Sequence, residues 1–267
     1  MTEAEVQGKV FIEYEGARQG ADVFLNGQKV GFSDNGVMAF GFDLTSYVKE
    51  GRNVIAVRCD NSWTYRDRTL NSRYQWNDRN FNANYGGLPK NVWLHITDKL
   101  YQTLPLYSNL GTTGTYVYAT DFDMTDRKAN IHVESQVRNE DSRSRKVQLA
   151  VWVKDMDGKE VCFMESKDYV RIEPGQTVTL SAESPLNNLH CWSWGYGYLY
   201  TVDTYLKEIS QDGSRQLFYD HTTIRTGFRK TEFRDGKIWL NGRVMMVHGY
   251  AQRTSNQWPG VGISVLA

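Results

Sequence analysis

The residues best suited to chemistry in this chain are polar side chains that follow apolar runs. Gln252 and Arg253 follow the strand-like stretch Val244–Val247 after His248, Gly249, Tyr250 and Ala251. The Arg guanidinium offers a rigid fork of N–H donors that fits hydroxyls or a carboxylate, and equally suits a solvated surface position. Trp258 presents a flat apolar ring that can floor a binding subsite or pack against a neighbouring domain. Between residues 60 and 88 the chain is rich in Asn, Arg and aromatics without regular period. A long irregular stretch inside a compact domain is commonly either functional or disordered.

Other chemistries are argued against by spacing. His95, His132, His190, His221 and His248 do not pair with Cys or carboxylates at metal-ligand intervals, so no metal or other cofactor is expected. Cys59, Cys162 and Cys191 are odd in number and far apart, which indicates neither a disulfide framework nor a zinc site. Cys59 and Cys162 sit in strand-like runs and read as buried thiols. There is no Gly-x-Ser-x-Gly elbow and no phosphate-cradling glycine loop, and Gly195-Tyr-Gly197 reads as a turn. Lys plus Arg number 31, as do Asp plus Glu, so charge gives no argument for nucleic acid or an anionic membrane as partner. No segment is long and apolar enough to span a bilayer. The acidic start, Met-Thr-Glu-Ala-Glu-Val, has no apolar signal core, and the compartment stays open.

The elements that must position these residues are strands. Val10, Ile12 and Tyr14 alternate with Phe11, Glu13 and Glu15, the period of a half-buried strand. Asp22–Leu25 and Gln28–Gly31 flank Asn26-Gly27, a hairpin signal because both central residues take positive φ. Asn53–Arg58 and Asn91–Ile96 read as further strands, Leu44–Glu50 as one helical turn, and 98–113 as a linker. A second alternating series then runs through Ile131–Val137, Val147–Val153, Val161–Met164, Val178–Leu180, Leu199–Ile209 and Gln216–Ile224. Short strands with frequent turn signals predict antiparallel sandwiches. Trp63, Trp76, Trp93, Trp152 and Trp192 are assigned to cores. Lys237–Leu240 and Val244–Val247 flank Asn241-Gly242 as a last pair of strands.

Six stretches in order carry a resemblance. Ala21-Asp-Val-Phe-Leu-Asn-Gly-Gln-Lys-Val-Gly31, Leu44–Arg58, Tyr85-Gly-Gly-Leu-Pro-Lys-Asn-Val-Trp-Leu94, Trp192–Tyr200, Thr226-Gly-Phe-Arg229 and Trp239–Gly249 together resemble the N-terminal part of family 2 glycoside hydrolases, the β-galactosidases, β-glucuronidases and β-mannosidases. The resemblance implies an all-β chain: a jelly-roll sugar-binding sandwich over 1–100, missing its first strands, an immunoglobulin-like sandwich over 112–227, and over 228–267 the opening of a (β/α)8 catalytic barrel that continues beyond the chain. It implies a loop before the Gly-Gly segment that reaches toward the sugar, with Asn80, Asn82, Asn84 and Tyr85 as contacts; as plain loop residues, the Asn side chains would only satisfy backbone groups. It places Gln252 and Arg253 at the top of the barrel, Arg229 bonded to backbone at a domain junction, and His248 as a core or supporting residue at a strand end.

Two departures fall where a pocket would form. Pro89-Lys90-Asn91 stands where the family has aromatic-Arg-Asp, and Tyr250-Ala-Gln-Arg253 where it often has x-Asn-x-His. Family members cut the glycosidic bond with two glutamates, one following an Asn. Asn139-Glu140 is the one Asn-Glu pair here and reads as a solvated turn; Glu232 and Asp235 precede their strand rather than end it. No catalytic pair is expected, so the chain by itself is expected to be inactive. The expected partners are a carbohydrate, an oligosaccharide or β-glycoside, the absent barrel and, as in many family members, further copies of the chain. A stand-alone carbohydrate-binding module and an inactive structural sandwich protein are the alternative readings.

Overall fold

The computed structural model describes residues 1–72, 86–209 and 216–249. They form two compact units, one made of 1–97 and 106–111, the other of 98–105 and 112–249. Both are built from antiparallel sheets.

The first unit opens with a short helix, α1 (Glu3–Gln7), closed by a reciprocal capping box between Thr2 and Glu5. Its strands are β1 (Lys9–Tyr14), β2 (Gly20–Leu25), β3 (Gln28–Ser33), β4 (Phe40–Asp43), β5 (Ile55–Asp60) and β6 (Val92–Thr97). They make two three-stranded sheets, ordered β4-β1-β6 and β3-β2-β5. Asn26 and Gly27 take φ of 51° and 83°, so the β2–β3 hairpin turns where Asn-Gly predicts. Tyr47 and Val48 both donate backbone N–H to the Leu44 carbonyl, giving the single turn expected there. The core gathers Val10, Ile12, Tyr14, Ala21, Val23, Leu25, Phe40 and Leu44. β1 is buried more completely than a half-buried strand, since Lys9 and Phe11 are covered as well.

Core-facing positions lie open at one edge of each of these sheets. Ile12 pairs with Leu94, and Val10 with Ile96, so Leu94 and Ile96 share the face of fully buried residues. Leu94 is nevertheless 51% exposed and Ile96 40%. Ile55, opposite the buried Leu25, is 42% exposed. An apolar strand edge of this kind is a template for association.

The second unit begins inside the stretch read as a linker. β7 (Leu100–Gln102) is a buried strand, and α2 (Tyr107–Leu110) is a short helical turn belonging to the first unit. Composition hid β7 because three residues give no periodicity; a side-chain network fixes it. Gln102 Oε1 accepts from Ser135 Oγ (2.8 Å) and Thr204 Oγ1 (2.7 Å), on facing sheets, and its backbone N–H donates to Asp220 (2.6 Å). The remaining strands are β8 (Thr115–Asp123), β9 (Lys128–Asn139), β10 (Arg145–Lys154), β11 (Glu160–Glu165), β12 (Val170–Ile172), β13 (Thr177–Leu186), β14 (Tyr200–Ile209) and β15 (Gln216–Thr226). One sheet runs β13-β9-β7 with β8 also on β9; the other runs β11-β10-β14-β15 with β12 also on β10. Between them lies a core in which Ile131, Val133, Val147, Leu149, Val151, Val153, Val202 and Leu206 are wholly buried.

β16 (Thr231–Arg234), β17 (Lys237–Leu240) and β18 (Arg243–Met245) follow as a meander with Asp235-Gly236 and Asn241-Gly242 at its turns. Its ladders are antiparallel, whereas the strands of a (β/α)8 barrel are parallel. Arg229 lies over the Trp192 ring, 5.2 Å from its centre, instead of bonding backbone, and His248 is exposed rather than in a core.

The open edges predict concentration-dependent self-association of the purified chain. Leu94→Arg should reduce it in sedimentation velocity, and a monomer at all concentrations would remove the expectation.

Candidate functional site

The residues expected to touch substrate, Asn80, Asn82, Asn84, Tyr85, Gln252, Arg253 and Trp258, lie outside the described residues. The structure does define the two feet of the 73–85 segment. On the far side, Arg18 and Gly87 exchange backbone hydrogen bonds of 2.9 and 3.2 Å. On the near side, residues 65–72 are held by a charged cluster centred on Asp22.

Asp22 sits on β2 between the core residues Ala21 and Val23, so its side chain belongs to the outer face, yet it is 1% exposed. Three cations cover it. Arg58, its partner on β5, donates through Nη2 (2.6 Å); Arg68 donates through Nη1 (2.6 Å) and Nη2 (3.0 Å); Lys29 Nζ lies 2.8 Å away. Arg68 and Lys29 also lie over the Phe32 ring. The Arg68 backbone N–H and the Tyr65 hydroxyl both donate to Asp34. The Arg68 bonds, ahead of those from Lys29 and Arg58, hold the Asp22 carboxyl far below the usual carboxylate range. Burial, with the Asp34 bond, pushes the Tyr65 hydroxyl well up, so it stays a donor.

Beside this cluster runs a groove of about 430 Å³, with Phe32, Met38 and Leu70 as apolar lining and Asp34, Asn35, Thr69 and Asn109 as polar lining. The combination suits an amphipathic, hydroxyl-bearing ligand. Its two lining carboxylates are already engaged: Asp34 accepts from Tyr65 and Arg68, and Asp67 from the Leu70 backbone N–H and Ser72 Oγ.

The other carboxylates singled out in the sequence have structural work. Asn139 is fully buried instead of solvated: its amide donates to the Arg143 and Ile172 carbonyls at 2.9 Å each and accepts the Asp141 N–H. Glu140 is bonded by Arg138 Nε and Tyr101 Oη. Glu232 pairs with Lys230 at 3.4 Å, and Asp235 occupies a turn at φ 52°. Among the described residues no group of three or more His, Cys, Asp or Glu could hold a metal ion. Cys162 is buried and Cys59 and Cys191 partly so, and burial raises all three thiols, the opposite of an activated nucleophile. Sequence reading missed the Asp22 cluster. Its one signal was an Asp within an apolar strand next to an Asn-Gly turn, with Lys29 placed just past that turn.

Removing the Asp22 charge leaves three cations around a buried site, which should cost about 3 kcal/mol. The folded carboxyl lies below its unfolded value of 3.8. Its contribution is thus complete above that value and declines as pH falls below it. Urea unfolding of Asp22→Asn against wild type should show the variant less stable at neutral pH, with the difference shrinking below pH ~4. An unchanged difference at low pH would contradict the assignment.

Two family models match the chain. "Glycosyl hydrolases family 2, sugar binding domain" covers residues 2–97, and "Glycosyl hydrolases family 2" covers 115–229. A beta-glucuronidase of Formosa agariphila is 36% identical over 96% of this chain and 25% of its own length. Beta-galactosidase BoGH2A of Bacteroides ovatus is 28% identical over 91% of this chain and 25% of its own length. The solved structure of a beta-glucuronidase from glycoside hydrolase family 2 superposes with a TM-score of 0.82 at 34% identity, covering 97% of this chain and 26% of that one. A Bacteroides uniformis beta-glucuronidase at 19% identity shares the fold, with a TM-score of 0.76. The chain spans about a quarter of the length of these relatives. With the sugar-binding sandwich and the sandwich that follows it both present and in family order, the chain belongs to glycosyl hydrolases family 2.

Proposed function

We propose that this chain is the accessory sandwich region of a retaining β-glycosidase, framing an active site whose two catalytic glutamates lie outside it. In this reading 1–100 is the sugar-binding sandwich, 112–227 the immunoglobulin-like sandwich, and 228–267 the start of the catalytic barrel. The observation that carries it is the succession of the two family domains over 2–97 and 115–229, with a turn-linked meander after them.

The substrate of the whole enzyme would be a β-linked galactoside or a related sugar. The relatives named beta-glucuronidase bring a glucuronide into that range. Arg253 supplies the chemistry for the distinction, since its fork matches a sugar carboxylate as well as hydroxyls. Asn80, Asn82, Asn84 and Tyr85 would contribute polar contacts from the first sandwich, held in place by the anchored feet of their segment. Trp258 would stack on the sugar.

The purified chain should release no nitrophenol from aryl β-galactoside or aryl β-glucuronide; measurable turnover would refute the accessory role. Joined to a catalytic barrel of the family, it should support cleavage of one of the two. Arg253→Ala should then lower kcat/KM by at least about tenfold if a charge-assisted bond to substrate is lost. An unchanged kcat/KM would remove Arg253 from the site.

A further inference from the structure

The outward face of the sheet β11-β10-β14-β15 departs from the polar surface such a face normally presents. Inward, β10 buries Val147, Leu149, Val151 and Val153 completely. Outward, Trp152 meets Phe163 across β11, with ring centres 4.8 Å apart, and Tyr205 of β14 edge-on at 5.3 Å. Phe218 lies 6.0 Å from Trp152, and Tyr205 stacks flat on His221 at 4.3 Å. Phe163 and Phe218 are 45% and 50% exposed. The sequence reading put Trp152 in a core, whereas its ring lies on the outer face.

Polar groups stand among these rings. The Asp203 carboxylate, nearly buried, accepts from Lys154 Nζ (2.8 Å), His221 Nε2 (3.0 Å) and Thr223 Oγ1 (2.6 Å). Burial opposes its ionisation, but these bonds outweigh that and hold it down at about 2. It therefore fixes Lys154 and His221 in place across the physiological range. The Glu160 carboxylate is exposed, and its charge helps to hold Lys154 protonated. Trp152, Tyr205 and Phe218, with Lys154, Asp203 and Glu160, line a cleft of about 500 Å³, within the range of small-molecule sites.

We propose that this cleft is a second carbohydrate site, taking one neutral pyranose unit of an oligosaccharide. A pyranose has an apolar C–H face and a rim of hydroxyls. The Trp152 and Phe218 rings match the face, the exposed Glu160 carboxylate accepts from hydroxyls, and the held Lys154 donates to them. Two carboxylates against one ammonium disfavour an acidic sugar. The site lies wholly within the second unit and requires no catalytic barrel, so it stands or falls apart from the accessory role proposed above.

The test is an amide and indole NMR titration of the chain with neutral β-linked tetrasaccharides of glucose, galactose and mannose, and with a glucuronate oligomer. The Trp152 indole resonance is identified through Trp152→Phe. At least one neutral sugar should shift it saturably, more strongly than the glucuronate oligomer does. Glu160→Ala, a surface change that leaves the core intact, should weaken binding by about tenfold, the loss of a charge-assisted bond. Tyr116→Ala, on the opposite sheet, should leave it unchanged. The proposal is overturned if no neutral sugar moves the Trp152 indole at tens of millimolar, if Glu160→Ala binds like wild type, or if the resonance follows protein concentration instead of sugar.

Discussion

A β-strand turns alternate side chains to opposite faces, and every backbone group it buries must be paired. That constraint organises both units of this chain. Where two sheets close on each other, as in the second unit, Val147, Leu149, Val151 and Val153 on one side and Ile131 and Val133 on the other become a dry core. In the first unit the same rule leaves Leu94, Ile96 and Ile55 on core faces without full cover. The rule also makes any large or charged side chain on the wrong face informative.

Two such exceptions share one device. Asp22 and Asp203 both lie on outward faces of central strands; three cations cover Asp22, whereas Asp203 is engaged by Lys154, His221 and Thr223. A buried carboxylate survives only with its lone pairs engaged. The consequences differ. Asp22 recruits Arg68, from the irregular stretch after β5, and thereby ties residues 65–72 to the sheet. Asp203 recruits Lys154 and His221, from neighbouring strands, and leaves an aromatic cleft with fixed polar groups at its side. One carboxylate positions a loop and the other organises a surface.

This division of labour fits a family in which the sandwiches precede the catalytic domain. Nothing among the described carboxylates resembles a glycosidase pair: Asn139 and Glu140 lock a strand end, and Glu232 and Asp235 belong to a meander. An irregular segment can present polar groups to a ligand only if its ends are fixed, and here they are fixed by ion pairs on one side and a backbone exchange on the other.

Local rules in the sequence determined most of the strands, the Asn-Gly turns at 26–27 and 241–242 and the sandwich class, because period-two alternation and positive-φ residues act over a few positions, while the family was legible only through six motifs standing in order. Tertiary structure decided the rest. The short strand β7 was invisible within a linker-like composition and exists because Gln102 joins two sheets. Asn139 read as solvated and is buried, because its amide, besides bonding the Arg143 carbonyl in its own turn, reaches the Ile172 carbonyl on a distant strand. Alternation placed Trp152 opposite the aliphatic residues of β10, but not on the outside: a large aromatic reads as core until the facing sheet is known. The cation cover of Asp22 was equally illegible, since Arg58 and Arg68 reach it only through sheet pairing and the path of a loop, and cross-strand register is a property of the folded chain.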